Sequence, residues 1–444
     1  MSVFSRRTIT ALLVGFISII LASNLAVRYT CTHIATFDCP EAWPISLFYP
    51  QLPTVWSLAL AFALLIGFFP LAGWLDARGY RLREVLVVAL LAVVLTNLLP
   101  GLDLGYNEPM THRDQQYYNT ALTVDNPLSF IRDYNALQPN LGLHAQTHPP
   151  GAVITIYLFE RLFRQPELIS LMIGVVAMTA SVSFAYRIFL MAFNNRLTAG
   201  YGALLFAVIP AVQIYTLACL DALITAMFTG VLYFMLLPEH HPKTRPFSTL
   251  MGGLLLFWAF FCTFPALVIL PILFGYEWVR FRRIWHAGAM LLMVLLGLGL
   301  LYALGFNYLD AFRYAENFEN PQGFALISHP VNYVFTRLEC VAEILVFFGP
   351  FLTVLAVRGW PVLRRDFRRE ALLLGLLVLT LTAVFLVGTY RTGETARPLM
   401  FLYVYALFPV LAALLNANQQ ARVSVLVLVF SQAVFMQLFG IYLW

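Results

Sequence analysis

The amino-acid sequence predicts an all-α protein: a polytopic transmembrane helical bundle with outer-face loops and short juxtamembrane helices. Three observations predict it. Of the 444 residues, 61% are hydrophobic and 11% charged, a balance far outside that of a soluble domain. Apolar runs of about 20 residues, enough to cross a hydrocarbon core of about 30 Å, recur from Thr8 to the end of the sequence. Basic residues collect in alternate connections between those runs.

Taken in order, the runs give about thirteen spans. The first, 8–27, follows Arg6 and Arg7; it is long and lacks a clear small-residue cleavage site before Arg28, so it reads as a retained signal anchor. With a second span at 54–73 it makes an N-terminal two-span extension, 1–83. The region 84–444 then carries spans at 84–101, 166–188, 198–216, 218–237, 248–263, 264–280, 286–304, 337–357, 370–389, 397–416 and 423–443. Taking the N-terminus as cytoplasmic puts Arg78, Arg81 and Arg83, Lys243 and Arg245, Arg280, Arg282 and Arg283, and the dense segment from Arg358 to Arg369 inside. In all, 18 of the 27 basic residues fall inside, and most acids fall outside. The apolar run from Gly151 to Phe163 would reverse that sign if it crossed fully, so it is expected to be a short helix at the outer interface.

Loops at 102–147, 305–336 and 389–398 then face outward. The two long ones carry acids, aromatics and turn residues without low complexity, the composition of ordered caps rather than linkers. Cys31 and Cys39 share one short polar loop, where a disulfide and two free thiols are both open. The net charge of +5 follows topology rather than one binding face, which excludes nucleic acid as a partner. No glycine-rich phosphate loop and no repeat of solenoid period occur.

The candidate chemistry sits in the outer loops. Asp103, Glu108, His112, Arg113 and Asp114 follow a span closely, as expected of a polar site at a membrane face. Asp114 precedes Tyr117, Tyr118, Ala121 and Leu122, at the spacing of an amphipathic surface helix whose N-terminus an acid would cap. In "LHAQTHPPG" (Leu143 to Gly151), two prolines exclude regular helix and hold His148, with His144 a turn away, at a fixed angle. Asp221 opens an apolar run from the outer side, where an acid is costly unless solvated or paired with arginine. In "YRTGETARP", Arg391 and Arg397 suit bidentate phosphate recognition and Glu394 could orient one of them. The second long loop adds Asp310, Arg313, Glu316, Glu319 and His329 as contacts for sugar hydroxyls. Each of these residues has a bland alternative as helix cap, solvated loop or interface anchor.

In order along the chain, these residues resemble the C-type (GT-C) integral membrane glycosyltransferases, which include the protein O-mannosyltransferases and the lipid A aminoarabinose transferase. An acid early in the first large outer loop, followed by a tyrosine-bearing surface helix, is similar to "RDQQYYNTA"; a His-Pro-Pro helix entry is similar to "THPPGAVITIYLF"; a later Pro, Tyr and Asp match Pro210, Tyr215 and Asp221. The chain departs from the family where Gln115 and Gln116 replace a second acid and where two spans precede the usual first one. The first departure leaves the cofactor open between a divalent metal and none.

The resemblance implies transfer of a sugar from a polyprenyl-phosphate donor to an acceptor hydroxyl on a lipid, glycan or protein, with inversion. Asp114 would be the base, with Asp103 as second choice. His148, Arg391 and Arg397 would stabilise the departing phosphate, with Glu394, Asp221, Tyr117, His144 and His329 completing the substrate site. The expected location is a bacterial inner membrane, with the site facing the periplasm or cell exterior. The rival reading is a transporter or flippase of lipid-linked sugars, which should carry inverted repeats and helices broken at mid-membrane.

Overall fold

Apolar runs in lipid must satisfy every backbone N–H and C=O internally, and helix is the way a single segment does so. A computed structural model of the chain describes residues 4–33, 43–45, 48–112, 117–217, 219–321, 323–388 and 393–442. Asp114, Arg391 and Cys39 lie outside the described residues.

The principal helices are α1 (Arg6–His33), α2 (Val55–Ala77), α3 (Leu82–Thr96), α4 (Tyr117–Leu122), α5 (Gly151–Phe163), α6 (Pro166–Phe193), α7 (Arg196–Ala207) and α8 (Leu220–His240), then α9 (Arg245–Cys262), α10 (Ile269–Phe281), α11 (Trp285–Ala303), α12 (Tyr308–Glu319), α13 (Pro330–Phe348), α14 (Pro350–Asp366), α15 (Arg368–Val387), α16 (Leu402–Leu414) and α17 (Gln419–Phe439). Asn195, Asn307 and Asn418 cap α7, α12 and α17, each accepting from a backbone N–H of the first turn. A two-stranded antiparallel sheet pairs β1 (Phe48–Pro50) with β2 (Gly440–Tyr442). The core centres on α8 and α16, which are buried along most of their length. The helix α2 packs beside α17, where Phe68 stacks on Phe430 with ring centroids 4.1 Å apart.

Among the described residues, nine helices are long and apolar enough to cross a membrane, or ten with α13 and α14 as one bent span. This corrects the expectation of about thirteen. The run 84–101 yields only the 15 residues of α3, because Asn97 turns its amide to the carbonyls of Val93 and Gln213. The run 198–216 breaks after α7, where Pro210 lacks the N–H that would continue the ladder and disfavours helix at Ile209. In 397–416 only Leu402–Leu414 forms α-helix. The span expected at 337–357 is bent by 96° between α13 and α14. There Gly349 sits at φ +89°, and a Cβ would lie 2.2 Å from Oε1 of Gln432, so the bend requires glycine. Cys31 is disulfide-bonded, which resolves its state; Cys219, Cys262 and Cys340 are buried free thiols.

Contacts across the bundle define its two ends. At one end Arg369 donates to the carbonyl of Met191 and pairs with His240 and Glu239, which joins α6, α8 and α15. At the same kind of basic end Arg422 forms a two-point pair with Asp76, at 2.7 and 2.9 Å. From their ends at His240, Arg245, Phe281 and Arg368, the helices α8, α9, α10 and α15 run to the opposite end. They arrive there at Asp221, Thr263, Val268 and Val387, beside one cavity. The basic residues and the cavity therefore occupy opposite ends of these helices, as the charge pattern predicts.

Candidate functional site

The outer loops are ordered by their own hydrogen bonds. Asn135 and Asn307 exchange backbone contacts, Nδ2 to the carbonyl at 2.9 Å and N to Oδ1 at 2.8 Å, which locks the first long loop to the start of α12. Gln138 reinforces the joint by donating to the carbonyls of Gln146 and Ala311. The phenol of Tyr134, fully buried, donates toward the carbonyls of Ala145 and His148 and pins the His-Pro-Pro hinge. Immediately after it, Gly151 starts α5 so close to α9 that a Cβ would meet the carbonyl oxygen of Phe261 at 2.2 Å. The run from Gly151 to Phe163 forms a 13-residue helix, too short to cross a bilayer, with Tyr118 and Ala121 of α4 buried beside it.

The cavity that this cap encloses has a volume of about 1020 Å³. That is at the upper end of the usual range for a ligand pocket. Eight predicted residues converge on its wall: Tyr117, His144, His148, Asp221, Glu316, Glu319, Glu394 and Arg397. One flank is apolar, from Leu376, Leu379, Ala383, Val384 and Val387 of α15 and Leu267, Val268 and Pro271 at the entry of α10. The other carries Glu316, Glu319, Asn332, Tyr333 and Arg337.

Arg397 stands at the centre of the polar wall. Its Nε lies 3.1 Å from Oδ2 of Asp221, and an Nη donates to Oε2 of Glu394 at 2.6 Å, with the side chain 12% exposed. Burial works against the charged form, but Glu394 and Asp221 outweigh it and hold the guanidinium more firmly protonated than usual. Among the described residues the Nε–H nonetheless has no aligned acceptor, an uncommon state for a buried donor. Cys219 donates to the same Oδ2 of Asp221, at 3.3 Å, so this carboxylate is held from both sides.

The ring of Tyr117 lies 5.5 Å from that of His148, edge to face, and 5.8 Å from that of His144. Its phenol is pushed well up by burial, then by Asp221, and remains a donor. His148 contacts the carbonyl of His144 through Nδ1 at 3.0 Å. Burial, then His144, pushes its imidazole down to about 4, so it is neutral near pH 7; with Nδ1–H on the carbonyl, Nε2 is left as an acceptor. Between pH 6.5 and about 4 the unfolded chain binds a proton at this position that the folded chain does not. Stability from this group is therefore complete above pH 6.5 and lost as pH falls toward 4, by at most about 3 kcal/mol. Thermal unfolding in detergent from pH 7.5 to 4.5 should fall more steeply for wild type than for His148→Gln; parallel curves would contradict the assignment.

Other predicted residues, among them Glu108 and His112, lie off this wall. Asp103 occupies an exposed helical turn and accepts from Nδ2 of Asn107 at 2.8 Å, outside the cavity wall, because the backbone after Pro100 turns its side chain toward solvent. His329, at the start of α13, is likewise outside the wall, while Asn332 and Tyr333, one turn on, belong to it. In the second loop Asp310 pairs with exposed Arg313 at 3.7 Å, whereas the predicted acids Glu316 and Glu319 line the cavity. Among the described residues, no group of three or more His, Cys, Asp or Glu is arranged to hold a metal ion.

Arg337 and Tyr333 on the cavity wall and the role of Glu343 are not evident from the sequence. Glu343 is fully buried on α13 and accepts from the backbone N–H of Thr395 at 3.0 Å and of Ala396 at 2.9 Å. Its one signal in the sequence is an acid in an apolar run.

No family model matches the chain, and no curated protein matches it. Among solved structures, it is similar to the crystal structure of ArnT from Cupriavidus metallidurans bound to undecaprenyl phosphate. The identity is 14%, the TM-score 0.48, and the match covers 75% of this chain and 60% of that chain. The match thus spans less than two thirds of the ArnT chain.

Proposed function

We propose that this integral membrane protein is a glycosyltransferase that moves a sugar from a polyprenyl-phosphate donor to an acceptor hydroxyl, at the face opposite its basic loops. The observation that carries the reading is the unaligned, buried Nε–H of Arg397 on the wall of a cavity with one ionic and one apolar flank. An amphiphile with an anionic head fits that combination: phosphate oxygens accept from the guanidinium, and the isoprenoid chain lies along α15. Arg391, six residues before Arg397 and outside the described residues, is proposed as the second phosphate group. The four carboxylates on the wall, Asp221, Glu316, Glu319 and Glu394, against Arg337 and Arg397, make a second cation useful where phosphate charge develops.

In the proposed reaction, the acceptor oxygen attacks the anomeric carbon as the bond from that carbon to the phosphate oxygen breaks. The hydroxyl proton passes to Asp114, and polyprenyl phosphate leaves on the opposite face of the sugar, which inverts the anomeric centre. Asp114 precedes the cavity residue Tyr117 by three positions. Neutral His148 is proposed to contact the phosphate and to take up a proton as the anion arrives. Acceptors from lipid, glycan and protein classes all fit the reading, as does a site facing the periplasm of a bacterial inner membrane.

A second reading, a transporter or flippase of lipid-linked sugars, draws on the helices broken before Pro210 and at Gly349. Purified protein reconstituted in vesicles separates the two. The transferase reading expects undecaprenyl phosphate to raise the unfolding temperature of wild type but not of Arg397→Ala, with no movement of a labelled lipid-linked sugar between leaflets. Movement between leaflets without transfer would favour the transporter.

A further inference from the structure

The segment carrying Glu394 and Arg397 has no regular secondary structure of its own until Leu402. Yet an arginine can grip a phosphate only if its backbone is fixed, since each freely rotating side chain must be ordered on binding. The order comes from α13. Both oxygens of the fully buried Glu343 are used, Oε2 by the N–H of Thr395 and Oε1 by that of Ala396. One turn earlier the Thr395 hydroxyl bonds to Cys340, and next to Glu343 the carbonyl of Ile344 accepts from Tyr403 at 3.2 Å. Three neighbouring residues of α13 thus hold both sides of the Arg397 turn. The same helix presents Asn332, Tyr333, Thr336 and Arg337 to the cavity, so it joins the wall of the site to the backbone beneath its cation.

A buried carboxylate in an apolar helix is costly. A mere turn could be closed by a backbone carbonyl, whereas a carboxylate accepts two adjacent amides at once and fixes their common plane. We infer that Glu343 is the positioning residue for Arg397: by holding the amides of Thr395 and Ala396 it sets the direction in which the guanidinium meets the donor phosphate. This rests on the reading of Arg397 as a phosphate-gripping group.

The test uses the full chain in detergent with undecaprenyl phosphate as probe. Glu343→Gln keeps the volume but sets an amide donor against one of the two N–H groups; Glu343→Asp keeps both acceptors one methylene further away. Hydrogen exchange over 393–398 should speed up about tenfold or more in Glu343→Gln with α13 itself unchanged, and binding should weaken about tenfold. Glu343→Asp should lose less binding than Glu343→Gln. In an Arg397→Lys background, expected to bind weakly but measurably, Glu343→Gln should add little further loss, because it acts through the same group. Unchanged exchange over 393–398 overturns the inference, and so does a full additional tenfold loss in the Arg397→Lys background. If exchange rises but neither Arg397→Lys nor Glu343→Gln alters binding, Arg397 does not grip phosphate, and Glu343 is overturned as its positioner while remaining a clamp on the turn.

Discussion

Arg397→Ala should lower sugar transfer by at least about a hundredfold, the scale of removing a principal electrostatic stabiliser from an active site. The guanidinium neutralises Asp221 and Glu394. Without it two mostly buried carboxylates face each other and any incoming phosphate. Breaking such a pair from one side also costs about 3–5 kcal/mol of stability, so the unfolding temperature should fall as well. Arg397→Ala combined with Asp221→Asn and Glu394→Gln removes the stranded charges and separates the two effects: stability should recover substantially and transfer should not. Arg397→Lys keeps the charge without the fork of donors and should lie between. Transfer per folded molecule, beside thermal unfolding, reads both; recovery of transfer in the triple variant would show that Arg397 is only structural.

The second large effect is expected at Asp114. If it takes the acceptor proton, Asp114→Asn should reduce transfer by about 10²–10⁴ while leaving the binding of undecaprenyl phosphate near wild type. Asp103→Asn should stay within about twofold of wild type, as a solvent-exposed carboxylate bonded only locally contributes little. Asp103, the second choice from the sequence, lies off the cavity wall and bonds to Asn107. Loss in Asp103→Asn alone would move the base and require the first long loop to be rearranged in the active state.

The elements legible in the sequence were those set by one-dimensional patterns. Apolar runs gave the helices, arginine placement gave the two ends, and the prolines around His148 gave the hinge. The convergence of Tyr117, His144, His148, Asp221, Glu394 and Arg397 on one wall followed from placing their loops on one face. The span count differed where tertiary hydrogen bonding or backbone geometry overrode hydropathy: Asn97 ends α3, Pro210 interrupts a run, and Gly349 bends another by 96°. Asp103 lies off the cavity wall because nearness to a span end fixes depth but not direction. Glu343 was visible as an anomaly, but its partners are backbone amides 52 and 53 residues away, and no local pattern encodes a contact to a backbone group.

Sugar transfer is measured with radiolabel from a panel of polyprenyl-phosphate sugars in membranes holding matched amounts of wild type, Asp114→Asn, Asp103→Asn and Arg397→Ala. At least one donor should label an acceptor with wild type and Asp103→Asn, and Asp114→Asn and Arg397→Ala should both abolish that label. Labelling that persists in Arg397→Ala, or no labelling from any donor with wild type, would contradict the proposed function.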